Sequence, residues 1–380
     1  QIDPSGGTMS FAYEPLLETV ATTAANRAAR VDSGEFPTET LRAMADAGLL
    51  GLISAPEVGG KGLGLPAAAA VVERLARECG STAMVVCMHY SATAVLEAHG
   101  SPEVRKAIAA GKHLTTLAFS EVGSRSAFWV PVSTATPDGA EVKLNARKSF
   151  ATSAGHADSY VWSSKPTAGS ELSTLWFVPR ATPGIRVAEA GFDGFGLRGN
   201  DSSPITAEDV RIPASARLGD DGAGFGLMMS IVLPWFNVLS AAVSVGLMET
   251  AVQRTAAHAA GTQFQHAGTS LAELPTIRAY IARMRIKTDQ NKTLLGDTLA
   301  AMAAGRADTM LRVLESKAAA GEAAAEVTDL AMRVCGGVAF RKDVGVERIF
   351  RDARAAQVMS PTTDLLYDFI GKAVCGLPLF

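Results

Sequence analysis

Hydrophobic spacing divides the chain into three textures. Over residues 14–111, apolar side chains recur at helical intervals, as in Leu16, Leu17 and Val20 and again in Leu41, Met44, Leu49 and Leu50. Breakers at Gly34, Gly59-Gly60-Lys61-Gly62 and Gly100-Ser101-Pro102 cut this region into several short helices. Ser101 reads as an N-cap, because Pro102 suits the first helical position and Glu103 the first turn. Over 114–219 the spacing becomes that of strands. Residues 130–136 alternate, a Pro137-Asp138-Gly139 turn follows, and 142–151 run on. Segments 159–163, 175–178 and 205–212 are further strands, and so regular a succession predicts a small barrel or sandwich. Past Gly226, Ala-rich amphipathic stretches at 231–260, 271–303 and 306–334 predict long helices. A break at Gly336-Gly337 and a last helix at 363–374 complete the pattern. Residues 341–354, dense in both signs of charge, read as a solvated or interface loop.

Helices, then sheet, then helices is segregated α+β order, not doubly wound α/β. The predicted units are an N-terminal helical domain (9–113), a middle β domain (114–219) and a C-terminal helical domain (220–380). The 380 residues are 48% hydrophobic and 19% charged, enough to build large cores and to exclude disorder of the whole chain. With 35 Lys+Arg against 38 Asp+Glu the net charge is −3, so nucleic acid is not an expected partner. Cys79, Cys87, Cys335 and Cys375 lie far apart with no CxxC, which argues against a disulfide framework or a zinc site and fits a reducing cytoplasm. The apolar runs at 67–72 and 231–246 are interrupted and shorter than the about 20 residues a membrane span needs, so no membrane partner is expected. Residues 1–8 read as a polar tail without a basic-then-apolar signal pattern, and the expected location is cytoplasmic.

Two patterns mislead. Gly194-Phe195-Gly196-Leu197-Arg198-Gly199 matches GxGxxG formally, but a dinucleotide fingerprint needs a helix N-terminus behind it, and here a polar turn and a strand follow. The six histidines show no metal-ligand spacing, and no GxSxG elbow is present.

Five segments carry more. They are 56–64 (Pro56-Glu57-Val58-Gly59-Gly60), 119–126 (Phe119-Ser120-Glu121-Val122-Gly123), 148–155 (Lys148-Ser149-Phe150-Ala151-Thr152), 196–202 with Glu208-Asp209-Val210, and Cys335-Gly336-Gly337 with Glu347-Arg348-Ile349-Phe350-Arg351-Asp352-Ala353-Arg354. Taken in order, they resemble the acyl-CoA dehydrogenase superfamily along nearly the whole chain. The resemblance implies an N-terminal helical domain, a middle β domain and a C-terminal four-helix bundle, assembled as a homotetramer or dimer, with FAD between them. It implies flavin contacts from Phe119, Ser120, Phe150 (where the family usually has Trp), Thr152 and Ser153. Thr362 falls near the adenosine phosphates, and Gly336 and Gly337 near the FAD of a neighbouring subunit. Ser126, and Trp235, Phe236 and Asn237 on the first bundle helix, fall to the substrate.

The departures from the family concern the base and the cofactor. Removing the α-proton of an acyl thioester needs a carboxylate. Counting on from Arg351-Asp352-Ala353-Arg354, Ser360 stands at the family's glutamate position, and no carboxylate stands at Phe236 or Asn237, where other members carry theirs. Asp364, one turn beyond Ser360, and His89, on an apolar helix facing the flavin in the family, are the remaining acid/base candidates. Gly261-Thr262-Gln263-Phe264-Gln265 lacks the arginine that usually meets the FAD pyrophosphate, so FMN or a diffusible reduced flavin is a further option. Three readings follow. The first is an FAD-dependent acyl-CoA (or acyl-carrier thioester) dehydrogenase with a non-standard base, passing electrons to an electron-transfer flavoprotein. The second is a two-component flavin monooxygenase, fed by a flavin reductase, that hydroxylates a small aromatic or amine. The third is an inactive acyl-CoA-binding relative.

Overall fold

The computed structural model describes residues 13–379 apart from 126, 170, 171 and 267; the polar tail and Ser126 therefore lie outside the described residues. The first region folds as α1 (Glu14–Asp32), α2 (Thr38–Asp46), α3 (Leu65–Ala76), α4 (Gly80–His99) and α5 (Pro102–Ala109). Ser101 does cap α5, its hydroxyl accepting from the Val104 N–H at 3.4 Å. Helix α4 differs from an amphipathic surface helix: residues on every side of it are buried, because it passes through the centre of the core.

The middle region holds β1 (Thr115–Ala118), β2 (Thr134–Asp138), β3 (Glu141–Ala151), β4 (Ser159–Ser164), β5 (Thr174–Pro179), β6 (Arg186–Val187), β7 (Ser203–Pro213) and β8 (Arg217–Leu218). They form two four-stranded sheets, β1-β4-β5-β8 and β2-β3-β7-β6, antiparallel except for the β1–β4 pair. A core between them contains Trp162, Trp176 and Tyr160, all fully buried. The GxGxxG look-alike is a loop leading into β7. Gly196 and Gly199 have no room for a side chain, since a Cβ there would meet Arg351 O at 2.3 Å and Val31 Cγ1 at 2.4 Å.

The last region contains α6 (Gly224–Leu227), α7 (Leu233–Gly261), a two-stranded ribbon of β9 (Gln263–Phe264) and β10 (Thr269–Ser270), α8 (Pro275–Ala304), α9 (Thr309–Cys335), α10 (Val346–Ala353), α11 (Ala355–Val358) and α12 (Thr363–Val374). A π-helical turn at Met228–Val232 joins α6 to α7. That wider turn accommodates Pro234, which lacks an N–H and crowds the preceding turn. The helix expected at 231–260 is longer, a continuous Gly224–Gly261, and where the apolar run at 231–246 is read as too short for a membrane span, its 38 residues are long and apolar enough to cross one; 89% of its apolar stretch is buried inside the protein. Helix α7 packs on α8 and α9 and also on α3 and α4, so it joins the two helical regions. Of the charged segment read as a loop, 341–345 is turn and coil, while Val346–Ala353 is instead α10, with Val346, Ile349 and Ala353 buried on one side.

Candidate active site

A cleft of about 1030 Å³ opens where β3 and the loops after β1 and before β7 meet α4, α7 and the strap between α11 and α12. On the β side its shape begins with a bulge. Register between β3 and β7 shifts between Lys148 and Ala151, and the one extra residue on β3 turns Phe150 out of the sheet. Phe150 has φ 53° and is 70% exposed at the cleft wall. A bulky residue in that conformation costs on the order of 1–3 kcal/mol and persists only where its surroundings hold it. Leu197, also on the wall, has φ 50°, and Ser153 (61°) and Asp201 (48°) adjoin it, so unusual backbone gathers around this rim. The Ser149 N–H donates to Ser120 O at 2.9 Å, tying the loop after β1 to the bulge.

Thr152 and Ser202 bring their hydroxyl oxygens within 3.1 Å of each other at the wall. Beside them Asn200 is buried, and its Oδ1 has no hydrogen-bond partner among the described residues. Glu121 also lines the cleft, but its carboxylate is fully engaged: it accepts from the N–H groups of Val132 and Ser133 and from the Ser133 hydroxyl, and it pairs with the Lys148 ammonium. Burial works to raise its pKa. The Lys148 charge and the hydrogen bonds outweigh that and hold the carboxyl below its ordinary value.

The helical wall comes from Met88 on α4, Leu233 and Phe236 on α7, and the strap from Met359 to Thr362. Thr362 caps α12, its hydroxyl accepting from the Leu365 N–H, and leaves Asp364 exposed in the first turn at the cleft. Helix α10 fixes the opposite loop. Asp352 accepts the Leu197 N–H at 2.7 Å, while Arg351 grips Asp32 of α1 at 2.6 Å and 2.8 Å. Burial pushes the Asp352 carboxyl up to about 6, against the Leu197 hydrogen bond.

Of the residues singled out from sequence, the cleft brings together Phe119, Ser120, Phe150, Thr152, Phe236, Ser360, Thr362 and Asp364. It does not bring in His89. That ring is wholly buried, with Nε2 3.1 Å from Leu50 O and Nδ1 accepting the Thr115 N–H at 3.2 Å. Burial drags its pKa down to about 4, so His89 is a neutral link between α4 and its neighbours, while the adjacent Met88 faces the cleft. Ser153 is buried behind the wall, donating its N–H to Asn200 O at 2.9 Å. Trp235 packs against the core outside the cleft, and Asn237 is buried against α9, its Nδ2 3.5 Å from Val313 O. Gly336 and Gly337 lie exposed at the end of α9, where a Cβ added to either would meet nothing within 4 Å. Asn200, Ser202, Arg125 and Arg354 line the cleft although the sequence reading gives them no role; all four fall inside the matched segments, which is the available signal.

These residues fit an isoalloxazine: a roomy slot, aromatic side chains at its wall, hydroxyls of Ser120, Thr152 and Ser202, and an unpartnered amide oxygen on Asn200.

Three domain descriptions match consecutive parts of the chain: acyl-CoA dehydrogenase N-terminal domain at 14–111, middle domain at 116–210 and C-terminal domain at 222–375. The human mitochondrial short-chain specific acyl-CoA dehydrogenase is 28% identical over 346 residues, covering 89% of this chain and 83% of its own. The butyryl-CoA dehydrogenase of Megasphaera elsdenii superimposes with a TM-score of 0.89 at 21% identity, covering 98% of this chain and 100% of its own. The FAD complex of PigA superimposes at 0.88 and 22% identity, covering 98% and 99%.

Proposed function

Because the chain belongs to the acyl-CoA dehydrogenase family along its N-terminal, middle and C-terminal domains, we propose that it is an FAD-dependent oxidoreductase that desaturates an acyl thioester between Cα and Cβ. One observation carries this reading: a single cleft collects Phe119, Ser120, Phe150, Thr152 and Thr362 from distant parts of the chain and sets a carboxylate, Asp364, at the same wall. FAD, when bound, supplies the acceptor for the hydride that leaves Cβ. Thr152, Ser202 and Ser120 offer hydroxyls to its polar edge, and Asn200 Oδ1, without a partner among the described residues, is free to accept a hydrogen bond from it. Met88, Leu233 and Phe236 form an apolar lining for the acyl group and exclude water from the reacting carbons.

Among the described residues lining the cleft, two side chains are carboxylates, and Glu121 is consumed by Lys148 and Ser133. Asp364 is therefore the proposed acceptor of the α-proton, in place of the family's glutamate at the Ser360 position. Electrons then pass to an electron-transfer flavoprotein. The enzyme works as a homo-oligomer whose second copy covers the exposed Gly336-Gly337 turn. The hydroxylase reading starts from the absent glutamate and pyrophosphate arginine and takes His89 as its acid/base, and that ring is sealed off from the cleft. Anaerobic addition of short- and medium-chain acyl-CoA esters to the flavin-loaded protein tests the proposal. Bleaching of the visible flavin band with release of a 2-enoyl thioester supports it. Thioester binding without bleaching supports the inactive relative.

A further inference from the structure

Helix α9 carries a charge where its pattern calls for an apolar residue. Val313, Leu314, Lys317, Ala318 and Gly321 follow one buried stripe, and Lys317 is 1% exposed within it. Its ammonium donates to three backbone carbonyls, Ala356 O at 3.1 Å, Met359 O at 3.0 Å and Pro361 O at 2.8 Å. Those carbonyls belong to α11 and the strap after it, which forms the cleft's helical wall and leads to Thr362 and Asp364. The same ammonium lies 5.8 Å from the centre of the Phe236 ring, another wall residue, and it interacts electrostatically with buried Cys87, the neighbour of Met88 in α4. Lys317 thus sits directly behind the wall without touching the cleft.

No carboxylate pairs with Lys317 among the described residues. A buried ammonium without a counter-ion is costly, and its retention here is matched by three carbonyls that an irregular strap cannot satisfy by itself. Burial pulls its pKa toward about 7, while the three acceptors favour the charged form.

We propose that Lys317 is a positioning residue: by holding three strap carbonyls and the Phe236 ring from behind, it sets where the strap and Asp364 stand relative to bound thioester. The kinetic part of this proposal rests on the dehydrogenase reading; the structural part does not.

The test compares wild type, Lys317→Met, which keeps length and loses all three donors, and Lys317→Gln, whose amide retains two. Amide hydrogen exchange is followed across the flavin-loaded proteins, together with the anaerobic flavin-reduction rate at saturating acyl-CoA. The expected result is faster exchange at Met359, Leu365 and Leu366, whose N–H groups bond Ala355 O and the Thr362 hydroxyl and carbonyl, on the order of tenfold or more in Lys317→Met, with α8 amides unchanged and an intermediate value in Lys317→Gln. The saturated reduction rate falls in the same order, whereas KM changes less. Unchanged exchange at the strap in Lys317→Met overturns the proposal, as does protection lost evenly over the molecule in both variants. If wild type is not reduced by any thioester, the dehydrogenase reading fails, and the exchange comparison still judges Lys317.

Discussion

Lys148 and Glu121 form an ion pair sealed in the floor of the cleft, with side chains 0% and 2% exposed. Lys148 belongs to β3 just before the bulge, and Glu121 follows β1, so the pair fastens the two segments that carry Phe150 and Ser120. Lys148 also donates to Ser163 O at 2.7 Å and Ser163 Oγ at 3.0 Å, and its ammonium lies over the Trp162 ring. Breaking such a pair strands the surviving charge. Glu121→Gln or Lys148→Met is expected to cost about 3–5 kcal/mol, read from denaturant unfolding. The double replacement Glu121→Leu with Lys148→Met should recover part of that loss. The pH dependence follows from the depressed Glu121 pKa. Its stabilisation is complete above the ordinary carboxylate value of about 4.3 and is lost as pH falls through the folded value below that.

His89 gives a separate titration. Its folded pKa of about 4 lies below that of an unfolded histidine, about 6.5, so the unfolded chain binds the proton first. Stability from neutral His89 is complete above about 6.5 and is lost as pH falls toward 4, a total on the order of 3 kcal/mol. Unfolding free energies measured between pH 7.5 and 4.5 should show a slope that flattens in a folded His89→Gln variant. The pH profile of thioester-dependent flavin reduction should keep its shape in that variant; loss of an ionisation from the profile would return His89 to the chemistry.

Much of the architecture is visible in the spacing of apolar residues. Helix α7 and strands β4 and β5, buried nearly throughout, are legible as apolar runs between breakers, whereas helices α8, α9 and α12 and strands β3 and β7 follow from period, since each buries one face or one stripe. Strand β1 does not, because its four residues are all buried and show no alternation. Helix α10 hides for the opposite reason: half of its residues are charged, and Arg351 and Asp352 are held by α1 and by the Leu197 loop, contacts remote in sequence. His89 illustrates the limit at the site. A helix buried on all sides has no outward face, so its sequence cannot tell that Met88 points into the cleft and His89 away. The family resemblance of 148–155 implies a flavin contact for Phe150, but its outward turn depends on a bulge that the alternation of β3 does not announce.

Thr152→Val removes a hydroxyl that bonds Ser202 Oγ at 3.1 Å within a wall that stays packed. The expected loss of stability is about 1 kcal/mol, from thermal or denaturant unfolding. If the hydroxyl serves the flavin, the anaerobic reduction rate should fall on the order of a hundredfold, as when a preorganised donor is removed from a reaction centre. A reduction rate within twofold of wild type, at matched flavin loading, would contradict the placement of Thr152.

Asp364→Asn keeps the size and exposure of the side chain and removes its basicity. Flavin reduction by thioester is expected to slow by about 10²–10⁴-fold in stopped flow, with stability nearly unchanged because Asp364 is exposed in a first helical turn. Ser360→Glu in that background introduces a carboxylate on the same strap and should restore part of the rate. An undiminished rate in Asp364→Asn removes Asp364 as the base.

The most direct measurement is an anaerobic titration of the flavin-loaded wild-type protein with a series of acyl-CoA esters, following the visible flavin band and the thioester product together. The account expects stoichiometric bleaching by at least one ester, with one 2-enoyl thioester formed per flavin reduced. A fully loaded, folded protein whose flavin stays oxidised with every ester, yet turns over another substrate when oxygen and a flavin reductase are supplied, would contradict it.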